Sequence, residues 1–371
     1  MNNMPNGRIA VLGAAGEIGA RLVLKLMNER RQVRAISRSR GARLGRWPSI
    51  DFHATGMSDE AALEAALRGC DAVVNCYVDK GLAGGDSALI ERNLKGCMLA
   101  LKIAQRVGVR RFIQVSSIAV LPPKLTQGAL ENELQYSRDS DWYTQVKVQT
   151  EKLFTVMVPG IDVVVVRPGI VYGPYLSWSR LAFRRAVEGA IAMPEPDAGI
   201  CHAVHVDDLT RLLVHCADAD KLSRRVLYGV NPEILRWTQY FDEHARVIGQ
   251  PRRTVGYSQA NLIAIARRPT GVREIAKWAF NSPLIPESLR NSAILGRLAG
   301  RARKLPAREI SIAVTNSAGT ITWPTSFEID LFQSDAIFAS TITGGADGFE
   351  YSIPFTTGVK SAGDWWNDIP G

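Results

Sequence analysis

Three glycines, Gly13, Gly16 and Gly19, stand between a short apolar run and a stretch of helical periodicity. This junction limits the fold more than any other feature of the chain. Arg8-Ile9-Ala10-Val11-Leu12 is apolar and partly β-branched, and reads as a buried parallel strand. Residues 20–29 repeat apolar side chains at helical spacing. A strand that turns on glycines directly into a helix leaves the first N–H groups of that helix open towards an anion. Such a turn lets the backbone approach a diphosphate, as in a dinucleotide-binding βαβ unit. The spacing is G-x-x-G-x-x-G, not the commoner G-x-G-x-x-G, so the strand and helix on either side carry the assignment.

The pattern repeats downstream. Residues 32–36, 71–76, 111–115 and 161–166 read as strands, the last stopped by Arg167-Pro168-Gly169. Residues 59–68, 86–107, 179–189 and 207–217 read as helices, and Pro122-Pro123 marks a loop. Alternation of this kind predicts an α/β fold, a Rossmann-type doubly wound parallel sheet. Residues 1–175 are assigned mainly to the dinucleotide-binding domain, with later strands returning at about 200–232. Residues 176–371 are assigned mainly to a smaller, mixed substrate-binding region. Within it, 262–280 and 286–304 look helical and basic, and 310–343 is rich in Thr, Ser and aromatics.

The second strand ends at Ser37-Arg38-Ser39-Arg40. An acid near this position bonds a ribose 2′-hydroxyl, whereas an arginine accommodates a 2′-phosphate. With no acid here and a guanidinium fork at Arg38, NADP(H) is expected over NAD(H). Arg40, Arg43 and Arg46 read equally well as a solvated loop. The net charge of +9 favours anionic partners without choosing among them. No zinc spacing, other metal-ligand pattern or nucleic-acid motif is present in the sequence. The clean apolar runs fall far short of the about 20 residues that span a bilayer. The basic segment 264–304 reads as a lid or surface of the substrate region, with peripheral membrane contact as the other reading. Five cysteines without a C-x-x-C pair suggest reduced thiols and a cytoplasmic protein.

Tyr143 and Lys147 lie four apart, one turn on the same helix face. A phenol beside an ammonium group is a workable proton donor and acceptor, because the cation favours the phenolate. Alone, the spacing also fits an ordinary amphipathic helix; the surrounding motifs decide against that.

Taken together, the ordered motifs resemble the extended short-chain dehydrogenase/reductases, the group that contains sugar-nucleotide epimerases and dehydratases. The matching pieces are the glycine turn, Asp59 with the 63–67 helix, the strand ending at Asn75, and Asn93. They continue through the run Gly108-Val109-Arg110-Arg111-Phe112-Ile113-Gln114-Val115-Ser116-Ser117, Tyr143 with Lys147, and Arg167-Pro168-Gly169-Ile170-Val171-Tyr172-Gly173-Pro174. His205-Val206-Asp207-Asp208 follows, and the tail fits loosely at Ser334-Asp335-Ala336, Thr356-Thr357-Gly358 and Trp365-Trp366.

The resemblance implies a catalytic set of Ser117, Tyr143 and Lys147, with Ser116 pointing away on the alternating strand. It implies cofactor contacts from Gly13, Ala15, Gly16, Glu17, Ile18 and Gly19, and from Ser37 and Arg38. Asn75, Cys76, Tyr77, Asn93, Tyr143 and Lys147 would contribute further contacts, with Pro168 and Ile170 acting through their backbones. It also implies a homodimer joined through two core helices, one of them carrying the tyrosine. Ile118 and Ala119 stand where the family's 4,6-dehydratases carry an acidic pair, so elimination is not expected. Cys201 stands where binders of sugar diphosphates often carry arginine, Gly56 replaces the acid that usually meets adenine, and Val120-Leu121-Pro122 alters the expected substrate rim. The expected activity is interconversion of a secondary alcohol and a carbonyl on a sugar nucleotide or related small molecule. The alternatives are an epimerase with retained cofactor, a steroid- or flavonol-type reductase, and a catalytically silent NADP sensor.

Overall fold

The structure is a computed structural model that describes residues 7–81, 85–122, 136–137, 141–155, 160–194, 198–223, 225–251, 254–258, 315–316, 319–322, 324, 326–333 and 348–368. The readings at 262–280, 264–304, 286–304 and 334–336, with much of 310–343, lie outside these residues.

Strands β1 (Ile9–Leu12), β2 (Val33–Ser37), β3 (Asp51–Ala54), β4 (Ala72–Asn75), β5 (Arg111–Val115) and β6 (Asp162–Pro168) share one sheet with a later strand at Val226–Gly229. All neighbours in it pair in parallel, in the order β3-β2-β1-β4-β5-β6 followed by Val226–Gly229. Chain order reverses between β1 and β4. In an open doubly wound sheet a crevice forms at that reversal, outside the carboxyl ends of the strands.

Side chains alternate across the sheet and build two cores. Ile9 and Val11 of β1, with Ala72, Val74, Ile113 and Val115, pack beneath α1 (Glu17–Asn28). Ala10, Leu12, Val73 and Phe112 pack on the opposite face, under α3 (Glu60–Leu67) and α4 (Gly85–Arg106); the short α2 (Gly41–Leu44) follows β2. Asp59 caps α3 by accepting from the Ala62 N–H at 3.1 Å, which fixes the helix start the sequence places there. Helix α5 (Trp142–Thr155) lies on the second face, with Phe154 edge-on to Phe112.

Strand β6 runs two residues further than expected, through Arg167 and Pro168. Val165 and Gly169 both donate their N–H groups towards the Val226–Gly229 strand. The missing N–H of Pro168 therefore faces the other side, beyond the end of β5, where no ladder bond is lost.

The chain divides into two compact units. The first comprises residues 1–179, 202–234 and 336–365 and holds this sheet, β7 (Ile170–Tyr172), β9 (Ala203–His205), α7 (Val206–Asp218) and β10 (Val226–Gly229). The second comprises 180–201, 235–335 and 366–371, with most of α6 (Ser177–Glu188). It contains a sheet in which β8 (Ala190–Pro194) pairs in parallel with β11 (Thr254–Tyr257) and β13 (Gly319–Thr322), the latter antiparallel to β12 (Thr315–Asn316). Trp237 and Phe241 of α8 (Trp237–Val247) pack with Phe332 of α9 (Ser326–Phe332), and Tyr240 packs edge-on to Trp237. Arg185 and Glu328 form a buried ion pair at 2.6 Å.

His244 is fully buried in this second unit and meets the Tyr240 carbonyl at 2.8 Å through Nδ1. Burial pushes its pKa down to about 4, outweighing the carbonyl bond. Between about 4 and the ordinary value near 6.5, the unfolded chain binds a proton that the folded unit refuses. Stability is therefore expected to fall as pH drops through that window, by roughly 3 kcal/mol at most. Denaturant unfolding of wild type and His244→Gln at several pH values checks this. A wild-type slope no steeper than the variant's would contradict it.

Candidate active site

A cleft of about 190 Å³ opens at the carboxyl ends of β1 to β4. It is lined by Gly13 and Gly16 after β1, Ile36, Ser37 and Arg38 at the end of β2, Thr55, Gly56 and Met57 after β3, and Cys76, Tyr77 and Val78 after β4. Gly13 has φ +72°, and a Cβ there would lie 2.9 Å from the Tyr77 backbone. A Cβ on Gly19 would collide with the Gly13 carbonyl, so helix and turn close up only with glycine at both positions. The cradle fits a dinucleotide: glycines line the floor and no acid stands at the end of β2. The Arg38 side chain is 77% exposed, with the Asp79 carboxylate 3.9 Å away. Nothing in the residue types of Thr55, Met57 and Val78 marks them in the sequence as cleft residues.

Four other arginines near the second strand are held by the protein. Arg31 pairs with Asp218, Arg34 with Asp51, and Arg43 with Glu17. Arg40 donates to the Trp47 carbonyl and lies over the Phe52 ring. The solvated-loop reading of Arg40 and Arg43 therefore gives way to intramolecular bonding.

Next to the cleft, α5 presents Tyr143 and Lys147. Asp141 starts the helix by accepting from the N–H groups of Tyr143 and Thr144, at 2.9 and 3.0 Å. Lys147 is 4% exposed, and its Nζ donates to the Val115 carbonyl at 2.8 Å and lies 5.6 Å from the Tyr143 ring centroid. That bond ties α5 to the last residue of β5, two before Ser117. Ser117 caps the short turn at Ile118–Val120, its Oγ accepting from Ala119 N–H at 3.1 Å. Burial pushes the Cys76 thiol up to about 12 despite the opposing charge of Lys147.

Several residues expected around the cofactor are engaged with the protein itself. Asn75 donates to Gln114 at 2.7 Å and accepts from Tyr77 N–H at 3.2 Å. Asn93 brackets Asp79, accepting its N–H at 2.8 Å and donating to its carbonyl at 3.0 Å. Both asparagines are fully buried and shape the loop after β4. The Ile170 N–H is bonded to the His202 carbonyl at 2.7 Å, while Pro168 is buried beside Gly229. Ile18 packs on the first core, Ala15 lies half-buried in the glycine turn, and Glu17 bonds Ser177. Val120 and Leu121 are buried against Val148, Tyr228 and Val230, so this stretch forms an apolar cluster where an altered rim was expected. In the His-Val-Asp-Asp motif, Asp207 binds Arg21 of α1, and buried Asp208 accepts from Ser352 and Ile353 N–H groups.

A buried network sets the position of α5. Ser116 points away from Ser117, as the alternation predicts, and its hydroxyl donates to Glu151. Glu151 also pairs with Arg167 of β6 at 2.6 Å, and Arg167 reaches Tyr228 of β10 at 3.3 Å. Burial works against the Arg167 cation, but Glu151 more than offsets it and raises the pKa. Tyr143, Lys147 and Glu151 follow at four-residue intervals, so one helix face carries all three. That spacing was available in the sequence; the partner at Arg167 was not.

A family model described as the NAD dependent epimerase/dehydratase family matches residues 9–227, well over half of the chain. A 3 beta-hydroxysteroid dehydrogenase/Delta 5-->4-isomerase of Mycobacterium tuberculosis is 29% identical over 50% of this chain and 52% of its own length. A putative dihydroflavonol 4-reductase of Synechocystis is 30% identical over 44% of this chain and 49% of its own. The chain thus spans about half the length of these curated relatives. Among solved structures, UDP-glucose 4-epimerase of Thermotoga maritima with UDP-glucose superposes with TM-score 0.64 at 17% identity, covering 97% of this chain and 98% of that one. The Bordetella bronchiseptica enzyme WbmG with NAD and UDP gives 0.66 at 12% identity, covering 99% and 96%. At such identities the superpositions speak for the fold, and the fold, the motifs and the family match agree: this chain belongs to the NAD dependent epimerase/dehydratase family, within the extended short-chain dehydrogenase/reductases.

Proposed function

We propose that the protein is an NADP(H)-dependent oxidoreductase that interconverts a secondary alcohol and a carbonyl. The observation that carries this reading is the placement of Tyr143 and Lys147. The Lys147 ammonium is bonded to the end of β5 at 2.8 Å, with the Tyr143 ring 5.6 Å from it and Ser117 two residues beyond the bonded carbonyl. When bound, the nicotinamide cofactor supplies or accepts the hydride. Tyr143 then gives a proton to the substrate oxygen, or takes one from it, as general acid or base. Lys147 holds the helix to the end of β5 and sets its ammonium group beside that tyrosine, and Ser117 bonds the same substrate oxygen. Ile118 and Ala119 carry no group able to move a proton, which limits the site to hydride and proton transfer.

Arg38 supports NADP(H): it lines the cleft from the end of β2, and its ion-pair contact with Asp79 is long. Calorimetric titration should find tighter binding of NADPH than NADH. Arg38→Ala should weaken NADPH by roughly 10- to 100-fold, the scale of a charge-assisted bond, and leave NADH unchanged. Tighter wild-type binding of NADH would overturn the preference.

For the substrate, a less polar alcohol or ketone is favoured over a sugar diphosphate. Cys201, where many sugar-diphosphate binders have arginine, is fully buried and burial raises its thiol pKa well above the ordinary value. The steroid dehydrogenase and flavonol reductase relatives point the same way. Net NADPH consumption with sterol or flavonol-type ketones tests this choice. Retained cofactor and turnover of a UDP-sugar with no net redox change would favour the epimerase instead.

A further inference from the structure

Glu17 directly follows Gly16, which lines the cleft, and begins α1, so on the dinucleotide reading its carboxylate belongs to the turn that would face the diphosphate. An acid in the first turn suits the helix itself. It does not suit a diphosphate, because like charges at short range repel. In the structure the carboxylate is committed elsewhere. Its Oε2 accepts from the Ser177 N–H at 3.1 Å and from the Ser177 hydroxyl at 2.9 Å. Its Oε1 meets Arg43 at 3.4 Å, and the same guanidinium nitrogen lies 3.4 Å from the Tyr175 carbonyl.

The segment that supplies these bonds has an unusual conformation. Tyr175 adopts φ +68°, a left-handed backbone that non-glycine residues rarely take, and its ring packs on Trp365 at 5.0 Å. Such strain persists only where surrounding contacts hold it. Here the contacts to Glu17 and Arg43 are among those that hold it.

We propose that Glu17 is a positioning residue that latches the 173–177 segment to the cofactor turn, and that Arg43 and Ser177 in return keep its carboxylate directed away from the diphosphate. The latch makes dinucleotide binding depend on Arg43 without Arg43 touching the cofactor. The proposal rests on the dinucleotide reading but not on the choice between NADP and NAD, since both carry the diphosphate.

Calorimetric titration of NADPH and NADH into wild type, Arg43→Met, Glu17→Gln and the double variant tests it, with Arg46→Met as a control for loss of one nearby charge. Arg43→Met should weaken both dinucleotides by about three- to tenfold, less at high salt, because it removes the cation that offsets the carboxylate's charge and leaves Ser177 alone to hold it. The double variant should bind within about twofold of Glu17→Gln, since no charge remains to be held away. Arg46→Met should stay within about twofold of wild type. The latch is overturned if the double variant binds as weakly as Arg43→Met, which would make Arg43 a direct ligand. It is also overturned if only NADPH weakens, if Arg43→Met changes nothing, or if Arg46→Met weakens binding equally. Failure of the NADP preference would show separately, at Arg38.

Discussion

Tyr143→Phe should lower turnover by about 10²-fold or more, the usual loss when a general acid–base group is removed. Dinucleotide affinity should change little, because the substitution removes one hydroxyl and leaves the ring on α5 and the Lys147 bond to Val115 in place. Steady-state rates with a wild-type substrate, beside calorimetric titration of NADPH, separate the two effects. Activity surviving within about tenfold would assign proton transfer to another group. Loss of binding in step with turnover would mean that the ring supports the site without reacting.

The second large effect belongs to the network beneath that helix. Arg167→Ala is expected to destabilise the first unit by about 3–5 kcal/mol, the range for breaking a buried ion pair from one side. Arg167 and Glu151 are both almost wholly shielded from water, and removing the cation leaves the Glu151 carboxylate buried without the charge that Arg167 supplies, while Ser116 still donates to it. The paired replacement Arg167→Met with Glu151→Leu should recover most of the loss, because neither position then buries an unpaired charge. Urea unfolding of the three proteins measures this. A single variant within about 1 kcal/mol of wild type would refute the assignment of a stability role. If the paired variant folds yet turns over poorly, the network also holds the register of Tyr143 and Lys147.

Much of the first unit was legible in advance for a local reason. Its inner strands are buried on both faces, so the apolar run at residues 8–12 folds as β1 over Ile9–Leu12, with all four side chains buried. The glycine turn was readable because Gly13 must adopt a positive φ and Gly19 must admit the Gly13 carbonyl. Tyr143 and Lys147 needed only helical spacing. Asn75 and Asn93 were harder. Their types and places match cofactor contacts, yet their amides are occupied by Gln114 and by the Asp79 backbone. Which partner an amide finds depends on a loop fold that residue type does not encode. Val120 and Leu121 carry the same lesson: an expected rim became an apolar cluster because Val148 of α5, and Tyr228 and Val230 at the end of β10, meet it.

The sequence by itself determined the parallel α/β architecture, the glycine turn, the Tyr143–Lys147 helix face and the arginine at the end of β2. Each follows from short-range periodicity or from the conformational limits of single residues. Only the tertiary structure decided what those side chains meet. Glu17 meets Ser177 across 160 positions of chain, and Arg167 meets Glu151 across a strand–helix interface. Contacts of that kind depend on which elements the fold makes neighbours, so they became readable once the strands were placed in order.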